Sequence, residues 1–170
     1  MGGRALLGGL ALVSAGCLAN DKAVFGLHEK VRLPKLALEL PAKLDTGAET
    51  ASLSARNIQL FRRAGEPWVR FQLALAAPAQ GATLERPLRR IGYIKRRAGD
   101  RDPGDARRYS ARPVIGMEVC LGDRRRHIEV NLTDRTAFDY PLLIGATALK
   151  QFDALVDPGL RYSAGAPGCS

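Results

Sequence analysis

At 170 residues the chain is long enough for one domain with its own core and too short for two. Its 26 Lys and Arg against 17 Asp and Glu give a formal net charge of +9, which favours acidic partners: acidic peptides, anionic lipid headgroups or nucleic acid. Nucleic acid is not an expected partner, because no recognition helix, zinc module or aromatic stacking motif accompanies the charge.

Residues 1–21 carry one Arg, then Ala5-Leu6-Leu7-Gly8-Gly9-Leu10-Ala11-Leu12-Val13, then small residues, the layout of a secretory signal. The apolar run is too short for a stable membrane span. Ser14-Ala15-Gly16-Cys17 is similar to a bacterial lipobox, in which Cys17 is the lipidated first residue of the mature chain. Cleavage after Ala15 or Ala19 is the rival reading, and an apolar core element is the third. Export would place the protein in the periplasm, with a membrane anchor where Cys17 is lipidated.

The domain is expected over 22–162. Val24 to Leu33 alternates as a first strand, Pro34 breaks it, and Leu36 to Leu44 forms a second, whose Pro41 suggests an edge or a bulge. This strand runs into Ala42-Lys43-Leu44-Asp45-Thr46-Gly47-Ala48-Glu49-Thr50-Ala51-Ser52-Leu53-Ser54-Ala55, whose small residues suggest a turn. Short strands follow at Ile58 to Arg63 and Trp68 to Leu75, with a turn at Gly65-Glu66-Pro67 and Trp68 read as a packing residue. A loop at Ala76 to Gly81 precedes a strand from Thr83 to Lys95. The segment Lys95 to Arg108, rich in Arg, Asp and Gly, reads as a solvated hairpin tip. Val114 to Leu121 and His127 to Leu132 form a hairpin turning at Gly122-Asp123, with Arg124-Arg125-Arg126 as a solvated face. Pro141 to Ile144 is a buried strand, Ala146 to Phe152 a short helix and Ala154 to Val156 a closing strand. The Gly- and Ala-rich tail 163–170 is expected to be disordered. Cys120 and Cys169 either pair in an oxidising compartment or stay apart as a buried thiol and a frayed end.

Asp45-Thr46-Gly47 is the segment with chemistry. Two carboxylates facing each other across one water hydrolyse a peptide bond without a metal, one accepting the water's proton and the other donating to the carbonyl. Asp45 supplies one carboxylate. The hydroxyl of Thr46 and the bare turn at Gly47 hold it in place. No second Asp-Thr/Ser-Gly occurs in the chain, so the other carboxylate has to come from a second copy across a two-fold axis.

The arrangement resembles the retropepsin-like aspartic proteases, and more closely the bacterial family once labelled ATP-dependent zinc proteases. The matching pieces are Phe25 through Pro34, the block Ala42 to Ala55, and the run from Arg112-Pro113-Val114 through Leu132-Thr133-Asp134-Arg135 to Tyr140-Pro141-Leu142-Leu143-Ile144-Gly145. The resemblance implies an all-β fold, a closed acid-protease barrel with one short C-terminal helix. It implies an aspartic endopeptidase acting as a homodimer, with Asp45 catalytic, Thr46, Gly47, Ile144 and Gly145 in support, and Ala48 beside the substrate. By position, the 95–108 hairpin is the flap, and its arginines favour acidic peptide or protein substrates. Relatives usually have Arg after the glycine and an aromatic residue two positions later, where this chain has Ala146 and Ala148. That departure bears on dimer strength and keeps a non-catalytic peptide-binding or scaffolding module as the alternative. No cofactor and no metal are expected: His28 and His127 are the only histidines, and the three scattered cysteines lack zinc spacing.

Overall fold

The computed structural model describes residues 22–75, 83–96 and 108–169. Residues 1–21 with Cys17, 76–82 with the loop expected at Ala76 to Gly81, 97–107 in the middle of the expected hairpin tip, and Ser170 lie outside the described residues.

Alternation sets β1 (Ala23–Leu33), where Phe25, Val31 and Leu33 face the core and Lys30 and Arg32 face water. A 3₁₀ turn at Pro34–Leu36 reverses the chain through Ala37 at φ 49°. β2 (Leu38–Asp45) then returns antiparallel on β1, from the pair Leu33–Leu38 to the pair His28–Lys43. β2 is not an edge strand, since it lies between β1 and β9 (Leu142–Gly145). Pro41 fits there because pairing with β9 begins one residue later, at Ala42.

β3 (Ala51–Arg63) is much longer than the short strand expected at Ile58 to Arg63. Its first half, Ala51-Ser52-Leu53-Ser54-Ala55, is buried throughout and lies between β8 (Arg124–Thr133) and β9, where only small residues and one Leu leave room for both neighbours. A bulge with Asn57 at φ 53° separates the two halves. β3 turns into β4 (Glu66–Leu73) through Ala64 and Gly65, both at positive φ, which moves the expected turn one residue earlier. The strand expected from Thr83 to Lys95 is two, β5 (Thr83–Pro87) on β4 and β6 (Arg90–Lys95) on β7 (Tyr109–Leu121). The chain changes partner at the break, where the Leu88 N–H donates to Pro67 O and the Arg89 N–H to Val114 O. β7 and β8 pair as the expected hairpin, with Gly122 at φ 58°.

The barrel closes in the order β1-β2-β9-β3-β8-β7, with β7 returning to β1 through the pairs Val31–Leu121 and Arg32–Cys120. Closure removes the unpaired edges that an open sheet would expose. The helix α1 (Ala146–Gln151) follows β9, and the all-β closed barrel with one short helix is as the resemblance implied. β10 (Ala154–Arg161) lies outside the barrel, parallel to β1, and its outer position lets it continue through Pro158 beyond the expected end at Val156. Trp68 is only half-buried; it packs beside Phe61 with the Arg63 guanidinium 4.3 Å above its ring.

Two expectations about charge and order need correction. Arg124 and Arg126 are not simply a solvated face: they reach α1, donating to Phe152 O and Gln151 O at 2.6 Å each, where cations suit the carbonyl end of a helix. Arg125 pairs with Glu118 at 3.3 Å. The tail from Ser163 to Cys169 is held rather than loose. Glu29, fully buried on β1, accepts from Gly26 N at 2.6 Å, Ser163 N at 3.0 Å, Ser163 Oγ at 2.7 Å and Ala164 N at 3.2 Å. Gly168 N donates to Gly122 O, and Cys120 is disulfide-bonded to Cys169, with Cα atoms 6.0 Å apart. Glu29→Ala strands these donors in the interior and is expected to lower unfolding stability by about 3 kcal/mol in urea titration. Glu29→Gln keeps one acceptor oxygen and is expected to lose less.

Candidate active site

Asp45 is the last residue of β2 and pairs with Gly145 on its parallel neighbour, while Leu44 pairs with Ile144. Both apolar partners are fully buried, so they fix the strand ends from which the Asp loop springs. The loop is wound on itself: Gly47 N donates to Asp45 Oδ1 at 3.0 Å and Ala48 N to Asp45 O at 3.3 Å. The Asp45 side chain keeps 27 % of its surface open, and Lys43 Nζ stands 3.5 Å from Oδ2. The carboxylate is therefore partly open to solvent at the end of β2. Thr46 is exposed, and among the described residues its hydroxyl makes no hydrogen bond within the chain.

The far side of the loop is fastened to α1. Ala146 N donates to Ala48 O at 2.7 Å and Thr147 N to Glu49 O at 3.0 Å, which satisfies N–H groups that a helix start leaves open. Ala48 thus commits both backbone groups internally, and only its half-buried side-chain face is left for a ligand. Gly145 is required by this contact, since a Cβ there would fall 2.6 Å from the Thr50 carbonyl carbon and oxygen. Ala148 is buried in the core.

Behind the loop lies a polar layer that sequence reasoning did not assign. Asn131 on β8 donates through Nδ2 to Thr50 Oγ1 at 3.1 Å and Ala51 O at 2.7 Å, and its Oδ1 accepts from Arg112 Nη1 at 3.3 Å. Arg135, between β8 and β9, is only 7 % exposed. It donates through Nη1 to Ser52 Oγ at 2.9 Å, Nε to Tyr140 O at 3.1 Å and its backbone N to Ser54 Oγ at 3.2 Å. Burial, then the like charge of Arg112, pull its guanidinium below its ordinary range, and the Asp45 carboxylate opposes them. The available signal was its place in Leu132-Thr133-Asp134-Arg135, where Arg directly follows an Asp that caps its own turn through Thr136 N and Oγ1.

The stem of the hairpin expected as a flap is formed by β6 and the start of β7, paired from Arg90–Val114 to Lys95–Tyr109. Its tip falls outside the described residues. Among the described residues no group of three or more His, Cys, Asp or Glu side chains is placed to hold a metal ion.

His28 is buried and stacked flat on Tyr140, with ring centroids 4.3 Å apart. Burial first, then the charges of Arg161 and Lys43, lower its pKa, and Asp139 opposes them more weakly. A histidine depressed in the folded state is neutral there while the unfolded chain takes up a proton, so stability is lost as pH falls below about 6.5. The melting temperature is expected to fall from pH 7 to pH 5, and to fall less steeply in His28→Phe, which keeps the stack and removes the titration.

A family model described as retropepsin-like aspartic endopeptidase RimB matches residues 24–167. Among curated proteins, a probable alpha-L-glutamate ligase of Shewanella pealeana is 30 % identical over 152 residues, which is 89 % of this chain and 32 % of that one. A protein of the same name from Parasynechococcus marenigrum is 32 % identical over 138 residues, 81 % of this chain and 28 % of that one. The chain thus spans about a third of the length of these relatives. A Legionella pneumophila crystal structure, described as of unknown function, is 36 % identical with a TM-score of 0.68 and covers 85 % of this chain and 99 % of its own. With a closed barrel that carries a partly exposed Asp-Thr-Gly loop at the end of β2 and a family match over nearly all of its described length, the chain belongs to the RimB-like family of retropepsin-like aspartic endopeptidases.

Proposed function

We propose that the chain is an aspartic endopeptidase whose active unit is a symmetric pair, cutting acidic, glutamate-containing peptides. The observation that carries this is the Asp45 loop: a carboxylate at the end of a barrel strand, oriented by Gly47 N and left partly open to solvent. Across a two-fold axis Asp45 would face its twin with one water between them. One carboxylate takes a proton from that water as it attacks the peptide carbonyl, and the protonated twin donates to the carbonyl oxygen. The unbonded Thr46 hydroxyl is the group available to grip the partner loop.

Charge and kinship support the substrate class. A net charge of +9 attracts acidic peptides, and the matching relatives are named for joining glutamate. Those proteins are about three times as long, and only about a third of each matches this chain, which is itself a barrel with an Asp-Thr-Gly loop. We therefore assign peptide cleavage to this part and not ligation. The second reading, a non-catalytic peptide-binding module, draws on Ala146 standing where relatives place Arg. Export, with Cys17 as an anchor, belongs to the proposal too, and the Cys120–Cys169 bond supports it because such bonds persist in oxidising compartments.

The deciding assay follows cleavage of glutamate-rich and lysine-rich peptides over a range of protein concentrations. Glutamate-rich peptides are expected to be cut, at a rate rising faster than linearly with concentration while the pair is forming. Binding without cleavage at any concentration would leave the module reading in its place.

A further inference from the structure

We infer that Arg135 is a specificity-determining residue, reading a glutamate side-chain carboxylate of the bound peptide beside Asp45. This deepens the peptidase reading and rests on it. Arg135 is a charge that the fold has buried with no carboxylate in contact among the described residues. Its three hydrogen bonds go to neutral oxygens of Ser52, Tyr140 and Ser54, and among the described residues it forms no ion pair. The charged neighbour that weighs most on it is Arg112, another cation, and the Asp45 carboxylate, without an ion-pair contact, opposes it less strongly. Burying a guanidinium without a carboxylate is costly, and the cost falls when a carboxylate arrives.

The geometry says where that carboxylate would sit. Nε and Nη1 are tied to Tyr140 O and Ser52 Oγ, which fixes the guanidinium plane and leaves Nη2 outside these bonds. Ser52 pairs with Leu143, two positions before Gly145 on β9, and Gly145 pairs with Asp45, so the fork lies beside the Asp loop. Phe138 stacks against the guanidinium at 4.8 Å and is 62 % exposed, an apolar face suited to the methylenes of a glutamate. A fixed fork next to an open apolar ring selects a carboxylate on a short aliphatic stem and rejects both its amide and a lysine.

Exposed arginines such as Arg108 would also attract acidic peptides, and salt separates the two effects. At 1 M salt the Debye length is about 3 Å, so steering by exposed charges vanishes while a buried contact persists. The experiment uses matched peptides with Glu or Gln on either side of the cleaved bond, the full-length protein, and the variants Arg135→Met and Arg135→Lys. For wild type, kcat/KM is expected to favour Glu over Gln by at least ~10-fold, and this ratio is expected to survive 1 M salt. Both variants are expected to bring the ratio to about 2-fold or less through loss on the Glu peptide alone, since a point charge does not replace the fork. A variant that folds and keeps the wild-type ratio would overturn the inference. Should neither variant fold, the wild-type salt series decides, and a ratio collapsing at 1 M salt overturns it equally. Wild type that cuts neither peptide at any concentration instead sinks the peptidase reading, and this one with it.

Discussion

Asp45→Asn is expected to lower peptide cleavage by about 10⁴-fold or more while leaving the melting temperature near that of wild type. The amide is nearly isosteric with the carboxylate, its Oδ1 can still accept from Gly47 N, and the loop should keep its shape. It cannot take a proton from water. Because the active unit is proposed to be a pair, the same variant gives a sharper test by mixing. Equal amounts of wild type and Asp45→Asn, allowed to exchange, leave about a quarter of the pairs with two carboxylates, so activity per pair should fall to about a quarter. A site complete within one chain would retain half. The mixing curve therefore separates the shared dyad from any arrangement in which Asp45 acts alone.

Single strands and the Asp loop were legible in the sequence because each rests on a local pattern, whereas the closed barrel came only from the family resemblance. Alternation at Phe25, Val31 and Leu33 marks a half-buried strand wherever it occurs, and Leu44-Asp45-Thr46-Gly47 is contiguous. That Ile144 and Gly145 support the Asp loop, a hundred positions away, came from the resemblance, and the pairing of Asp45 with Gly145 is what the structure adds. What escaped was charge and smallness in places where neither is usual. Ala51 to Ala55 has the composition of a turn, and only its two flanking strands make it a buried one. Glu29, Asn131 and Arg135 are polar residues in the interior, and a periodicity argument assigns such residues outward by default. Their partners, the 163–164 backbone, the Thr50-Ala51 corner and Ser52, are each about 80 or more residues away. No window along the chain contains both halves of such a contact, so the layer that supports the site is the part a linear reading loses.

Gly145→Ala tests whether that support matters to chemistry. The added methyl would meet the Thr50 carbonyl carbon and oxygen at 2.6 Å and Ala48 O at 2.8 Å, all backbone atoms with no rotamer to yield. Relief has to come from moving the 48–50 corner away from β9, which would lengthen the Ala146 N to Ala48 O bond and tilt the strand end that bears Asp45. Overpacking of this kind is expected to lower stability by about 3 kcal/mol, read by urea or thermal unfolding. Activity is expected to fall further than the unfolded fraction explains. A dyad sharing one water depends on the spacing of two carboxylates, each carried by a displaced loop, and a misplacement of about 1 Å costs on the order of 10²-fold in rate. Assays held well below the variant's melting temperature, where the folded fraction is near complete, isolate this effect. A Gly145→Ala protein that is destabilised but fully active per folded chain would show that the 48–50 corner can yield without moving Asp45, and that the β9 contact serves the barrel and not the site.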